Sequence, residues 1–215
     1  MKSRIIATPV QASLVVFWLI TPAPAQQAME HSMGGDQLAM DHEHGSSVSV
    51  TFEELTKTVS LLETARKATA KYQDVKVAEA DGFRAMGPNV PGMGIHYVGP
   101  HPGGFDIERP NILLYEKSAT VPGGYALVGV SYLLNDEVDA DGQPKNPPFP
   151  KSLASWHRHT NLCVFPDRSV KGNLTERDCV AQGGRFNALT QWMIHVWIWR
   201  DSPAGVFSPK NPKVQ

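Results

Sequence analysis

Gly82 divides the chain by hydrophobic period. Before it, Leu55, Val59, Leu62, Ala65, Tyr72 and Val75 recur at helical spacing behind Thr51-Phe52-Glu53-Glu54, which matches a capping box. This predicts a helix, or two helices with a break, over about residues 52–81, with Gly82 at the C-cap. After Gly82 the apolar residues come only in short β-type runs: Gly94 to Val98, Ile112 to Glu116, Tyr125 to Leu134, Thr160 to Phe165 and Trp192 to Trp199. Pro-Gly and Gly-Gly clusters separate them, so no second long helix fits. One short helix is expected at Thr175 to Gln182, ended by Gly183-Gly184. The expected fold is α+β: a long N-terminal helix or helix pair packed on a mostly antiparallel β-sheet, filling residues 51–215.

The N-terminus reads as an export signal. Lys2 and Arg4 precede the apolar run Ala12 to Ile20, which is too short to span a bilayer, and Ala23-Pro24-Ala25 offers small residues for cleavage. Cleavage after Ala25 would place the protein in the periplasm or outside the cell; the alternative is an uncleaved anchor. Cys163 and Cys179, the only two cysteines, suit that compartment as a disulfide, with a thiolate ligand or nucleophile as the alternative. A net charge of −1 provides no basic surface for nucleic acid, and no further apolar run is long enough for a membrane span after signal cleavage.

Residues 26–50 carry no aromatic side chain and no Lys or Arg, so they cannot build a core and are expected to be a disordered tail. Met29, His31, Met33, Met40, His42 and His44 alternate there with carboxylates as possible metal ligands. Thioether sulfur selects Cu(I) while imidazole suits Cu(II), so such a set can hold copper in either state. The tail is similar to the Met/His-rich segments of periplasmic copper-resistance proteins; the alternative is a polar spacer.

In the domain, Trp156-His157-Arg158-His159 would send both imidazoles to one face if extended. The cupin form of that pattern wants Glu where this chain has Cys163, so a cupin site loses support. His195 interrupts Trp192-Met193-Ile194-His195-Val196-Trp197-Ile198-Trp199, with Ile194, Val196 and Ile198 on one face and His195, Trp197 and Trp199 on the other. Its buried imidazole needs a partner, either a carbonyl or carboxylate or a metal. His96 repeats the situation on the Gly94–Val98 run, and His101 sits in a Pro/Gly loop. The candidate metal set is therefore His96, His157, His159 and His195.

Ala68-Thr69-Ala70-Lys71-Tyr72, Met93-Gly94-Ile95-His96-Tyr97-Val98, Glu108-Arg109-Pro110, Leu113-Leu114-Tyr115-Glu116, Leu127-Val128-Gly129-Val130-Ser131-Tyr132, His195-Val196-Trp197-Ile198-Trp199, Pro203-Ala204-Gly205-Val206-Phe207 and Asn211-Pro212 together resemble an uncharacterised family of secreted bacterial proteins. The resemblance spans about residues 65–213. Members of that family often carry Glu where this chain has Ser131, which implies that the His157/His159 pair here supplies what the serine does not.

The function expected from these residues is that of an exported metal-binding protein, with copper as the ion and zinc or iron as alternatives, a multi-His site in the domain and a tail for capture. The alternative is a periplasmic metal-dependent enzyme, with Asp106, Glu108 or Glu116 as general base and Trp156, Trp192, Trp197 and Tyr97 lining a pocket. No nucleophile motif, phosphate loop, zinc helix or blue-copper pattern points to a particular reaction. A third possibility is a cofactor-free module in which the histidines are core polar groups.

Overall fold

The computed structural model describes residues 49–101 and 103–215. Helix α1 (Phe52–Thr69) begins at Thr51, whose hydroxyl accepts from the Glu54 amide at 3.1 Å while the Glu54 carboxylate accepts from the Thr51 amide at 2.9 Å. That reciprocal pair satisfies two otherwise orphaned donors and fixes the helix start. A single 3-10 turn at Ala70–Gln73 breaks the helix, and Asp74 caps the six-residue α2 (Val75–Ala80). Gly82 follows with φ +92, the left-handed residue that ends the helical segment.

Eight strands follow, all paired antiparallel: β1 (Arg84–Val90), β2 (Gly94–Val98), β3 (Ile112–Lys117), β4 (Tyr125–Leu134), β5 (Thr160–Val164), β6 (Val170–Lys171), β7 (Arg185–Leu189) and β8 (Trp192–Val196). They form a five-stranded sheet in the order β1-β2-β3-β4-β8 and a three-stranded sheet in the order β6-β5-β7. Helix α3 (Glu176–Ala181) lies between β6 and β7. The α+β class expected from the sequence is therefore present.

The helical segment packs on one face of the large sheet. Ala65, Tyr72, Val75 and Ala78 join Tyr97, Leu113, Tyr115, Val130, Tyr132, Ile194 and Val196 in the main core. Leu55 and Val59, expected on that buried stripe, are 48% and 47% exposed, because helix-to-core packing starts only at Leu61 and Leu62. The two residues line an apolar groove of about 860 Å³ with Val206, Phe207 and Pro212. The opposite face of the sheet carries a smaller cluster of Ile112, Leu114, Val128, Met193, Trp197 and Val214. With both faces covered, β3, β4 and β8 read as continuous apolar runs.

The small sheet guards an exposed edge. Arg168, in the turn between β5 and β6, donates to the carbonyls of Ala85 and Arg84, and its own carbonyl accepts from the Gly87 amide at 2.8 Å. Those bonds occupy backbone groups of β1 that would otherwise template a foreign strand. Cys163 on β5 and Cys179 on α3 form a disulfide and are fully buried. Closing a loop of this length stabilises by about 3 kcal/mol in the chain-entropy model. We expect the C163S/C179S double variant to lose about that much in urea unfolding; an unchanged midpoint would mean that the small sheet holds itself by packing.

Candidate metal site on the sheet face opposite the helices

The sheet is curved toward the face away from the helices. His96 lies on β2 and His195 on β8, three places apart in the strand order, which in a flat sheet means about 14 Å. Their Nε2 atoms are nevertheless 3.4 Å apart. A register break in the β3–β4 pairing, between Leu114 and Tyr115, lies within that span and allows the curvature. Gly94 and Gly129 leave room for it where a Cβ would meet backbone: the Tyr115 carbonyl oxygen at 2.4 Å and the Val196 carbonyl oxygen at 2.8 Å.

His195 is 1% exposed and answers the question its apolar strand raised. Its Nδ1 donates to the Pro209 carbonyl at 2.8 Å. A carbonyl only accepts, so Nδ1 carries the proton, and the neutral ring presents the Nε2 lone pair toward His96. Burial lowers the His195 pKa to about 3, with neighbouring His96 adding to the effect. His96 is part-buried; burial and the nearby His159 and His157 lower it to about 4. Both rings are therefore neutral at physiological pH, the form that ligates metals.

His157 and His159 arrive by a different route from the strand expected of them. His157 forms an isolated antiparallel bridge with Met193, donating to its carbonyl at 3.0 Å and accepting from its amide at 2.7 Å. The two rings stand at 90° with centroids 5.3 Å apart, and His157 is likewise 5.3 Å from His195. The Nδ1 of His157 faces the Ser155 carbonyl at 3.2 Å. Burial and the adjacent His157 also lower the pKa of His159.

All four rings thus gather around the edge of β8, with only His96 and His195 in direct nitrogen contact. Among the described residues, no three His, Cys, Asp or Glu side chains converge on one point as ligands of a metal ion. His101 stands apart on its exposed loop, with its carbonyl accepting from Asn111 at 3.2 Å. Met29, His31, Met33, Met40, His42 and His44, together with the signal segment, lie outside the described residues.

Ser131 occupies a telling position. It pairs in register with His195, so both side chains project from the same face, and its fully buried Oγ has no hydrogen-bond partner. A buried hydroxyl left unpaired costs about 1–3 kcal/mol, so a polar ligand at this face would relieve it. Of the three carboxylates offered as bases, Glu116 pairs with Arg200 and Asp106 pairs with Arg109 at 2.7 Å, while Glu108 is exposed and borders a separate pocket with Tyr72 and His101. Trp156, Trp192, Trp197 and Tyr97 are core residues with 3–6% exposure, and Trp192 also borders a surface pocket with Arg158 and Gln191. Trp197 donates to the Ser208 carbonyl at 2.7 Å, which pins the C-terminal segment over the histidine face.

Sequence reasoning missed the methionines of the domain. Met86, Met93 and Met193 line a cleft of about 240 Å³ together with His96 and His159. Met86 pairs in register with His96, and Met193 lies two residues before His195 on β8. The first of these depends on the pairing of β1 with β2; the Met193/His195 alternation is visible in the chain. No family model, curated protein or solved structure matches this chain.

Proposed function

We propose that this protein is an exported metal carrier that binds copper through His96 and His195, with His157 and His159 completing the coordination and the Met/His-rich tail collecting the ion. The observation that carries the reading is the 3.4 Å separation of the two Nε2 atoms. Two imidazole nitrogens held by one tetrahedral ion at about 2.0–2.1 Å each lie about 3.3–3.4 Å apart. The pair is thus already at ligand spacing. Ring orientation supports the reading as well, since ligating histidines commonly donate their second N–H to a backbone carbonyl, as His195 does to Pro209.

Copper is favoured because it heads the affinity order for such ligands, so a periplasmic imidazole site fills with it when it is supplied. The disulfide accords with an oxidising compartment, and among the described residues no helix is long and apolar enough to cross a membrane.

The test is the metal content of protein expressed from Gln26 and of a shorter form starting near Val48, both made in the periplasm and analysed by mass spectrometry. The expected result is about one tightly held copper in the short form, lost in H96A/H195A. Copper confined to the longer form would reduce the domain histidines to structural groups, and no copper in either form after loading would end the proposal.

A further inference from the structure

All three methionines among the described residues, Met86, Met93 and Met193, border one cleft, and two of the clustered histidines border it with them. Strand pairing puts them there. Met86 stands directly across from His96, and Met193 shares a face of β8 with His195. Two thioether–imidazole pairs therefore project from the same curved face, and His96, which borders the cleft, carries one of the two Nε2 atoms that lie 3.4 Å apart. Every other residue bordering the cleft is Gly, Pro, Val, Ile or Leu, so no carboxylate or thiolate contributes charge to it.

From this juxtaposition we infer that the site is built for copper in the monovalent state, with thioether sulfur from Met86, Met93 and Met193 joining the imidazoles. The inference rests on the metal-binding reading above and specifies which ion that site takes. Two physical arguments support it. Thioethers are soft donors that bind Cu(I) and contribute little to Zn(II) or Cu(II). The cost of bringing an ion into a low-dielectric cleft grows with the square of its charge, so an uncompensated divalent ion costs about four times what a monovalent one does. A neutral ligand set in an apolar cleft therefore discriminates by charge and by softness in the same direction. The cleft also explains why methionine sits at these positions: in a purely structural edge, Leu or Ile would pack with better-defined rotamers.

The experiment uses the whole mature chain, with methyl-labelled methionine, titrated anaerobically with Cu(I) and separately with Zn(II). Each methionine reports separately by NMR, so the tail signals are resolved from the domain signals. With one equivalent of Cu(I), the methyl resonances of Met86, Met93 and Met193 are expected to shift. In M86L/M93L/M193L, a change that conserves volume, domain affinity for Cu(I) is expected to fall about 100-fold, as measured by competition with a chromophoric Cu(I) chelator. Zinc affinity should change less than about threefold. If H96A/H195A abolishes Cu(I) binding by the domain but the leucine variant retains it undiminished, the metal-binding reading survives and the thioether inference is overturned. If neither ion perturbs any domain resonance, both fall.

Discussion

Metal-free protein is expected to lose stability steeply as the pH drops from about 6.5 toward 4. In the unfolded chain His96 and His195 take up protons near the ordinary value of 6.5, whereas in the fold they do so only near 4 and 3. Between those limits the unfolded state binds more protons, so acid favours unfolding; above about 6.5 the contribution is fully present. Each depressed histidine removes at most about 1.4 kcal/mol per pH unit within the window. The groups facing the pair are His157 and His159, whose proximity lowers the His96 value further and so works in the same direction. The aspartates held below 3.8 by ion pairs or hydrogen bonds, such as Asp106 and Asp139, add to the loss only below about pH 5, so the upper part of the window belongs to the histidines. Urea midpoints at pH 7.5, 6.5, 5.5 and 4.5 measure the effect. A flat profile would show that the pair is more open to water than its burial indicates. The same series with H96Q/H195Q should lose most of its slope.

Replacing Gly94 with alanine is expected to cost about 2–5 kcal/mol, combining the left-handed backbone penalty with overpacking. Gly94 has φ +73, and an added Cβ would lie 2.4 Å from the Tyr115 carbonyl oxygen. That oxygen belongs to the backbone of β3, so no rotamer change relieves the clash. Gly92 provides an internal reference. It shares a positive φ of +80, but its Cβ would come no closer than 3.3 Å to the Lys210 side chain, a far milder contact than the 2.4 Å approach to backbone at Gly94. Chemical denaturation should therefore rank G94A well below G92A, with the difference measuring the cost of pushing β2 off β3. Because His96 is two residues further along β2, G94A should also weaken metal binding, whereas G92A should leave it nearly unchanged. Equal losses in the two variants would mean that the sheet gives way at this point, and that the curvature does not depend on glycine.

How legible each strand was depended on its burial. The expected span of β4, Tyr125 to Leu134, matches the structure because both faces of that strand are covered and all its residues but Ser131 are apolar or glycine. Strand β1 was overlooked because Arg84-Ala-Met-Gly-Pro-Asn-Val contains Gly87 and Pro88 and looks like a loop; it is an edge strand, the one place in a sheet that tolerates such residues. Strand β7 is part-exposed and has no clean alternation. The run at Trp192 to Trp199 reads as one strand in the sequence. It stops at Val196, beyond which the Trp197 amide turns to the Val206 carbonyl, so Trp199 leaves the histidine face and packs near Thr69 and Arg66 instead.

Local spacing in the chain makes most of the elements and their chemistry legible: the capped helix before Gly82, the β-rich remainder, the cysteine pair now seen as a disulfide, and imidazoles set in apolar strands. Those features depend on spacing over a few residues, where helix and strand periods act directly on the chain. Which imidazoles meet is set by long-range pairing. His96 and His195 are 99 positions apart, and their contact follows from the register of four strands, the break in the β3–β4 pairing and the glycines that let the sheet curve. Pairing of that kind is set by nonlocal packing, and a shift of one residue in any strand would turn the same side chains to the other face.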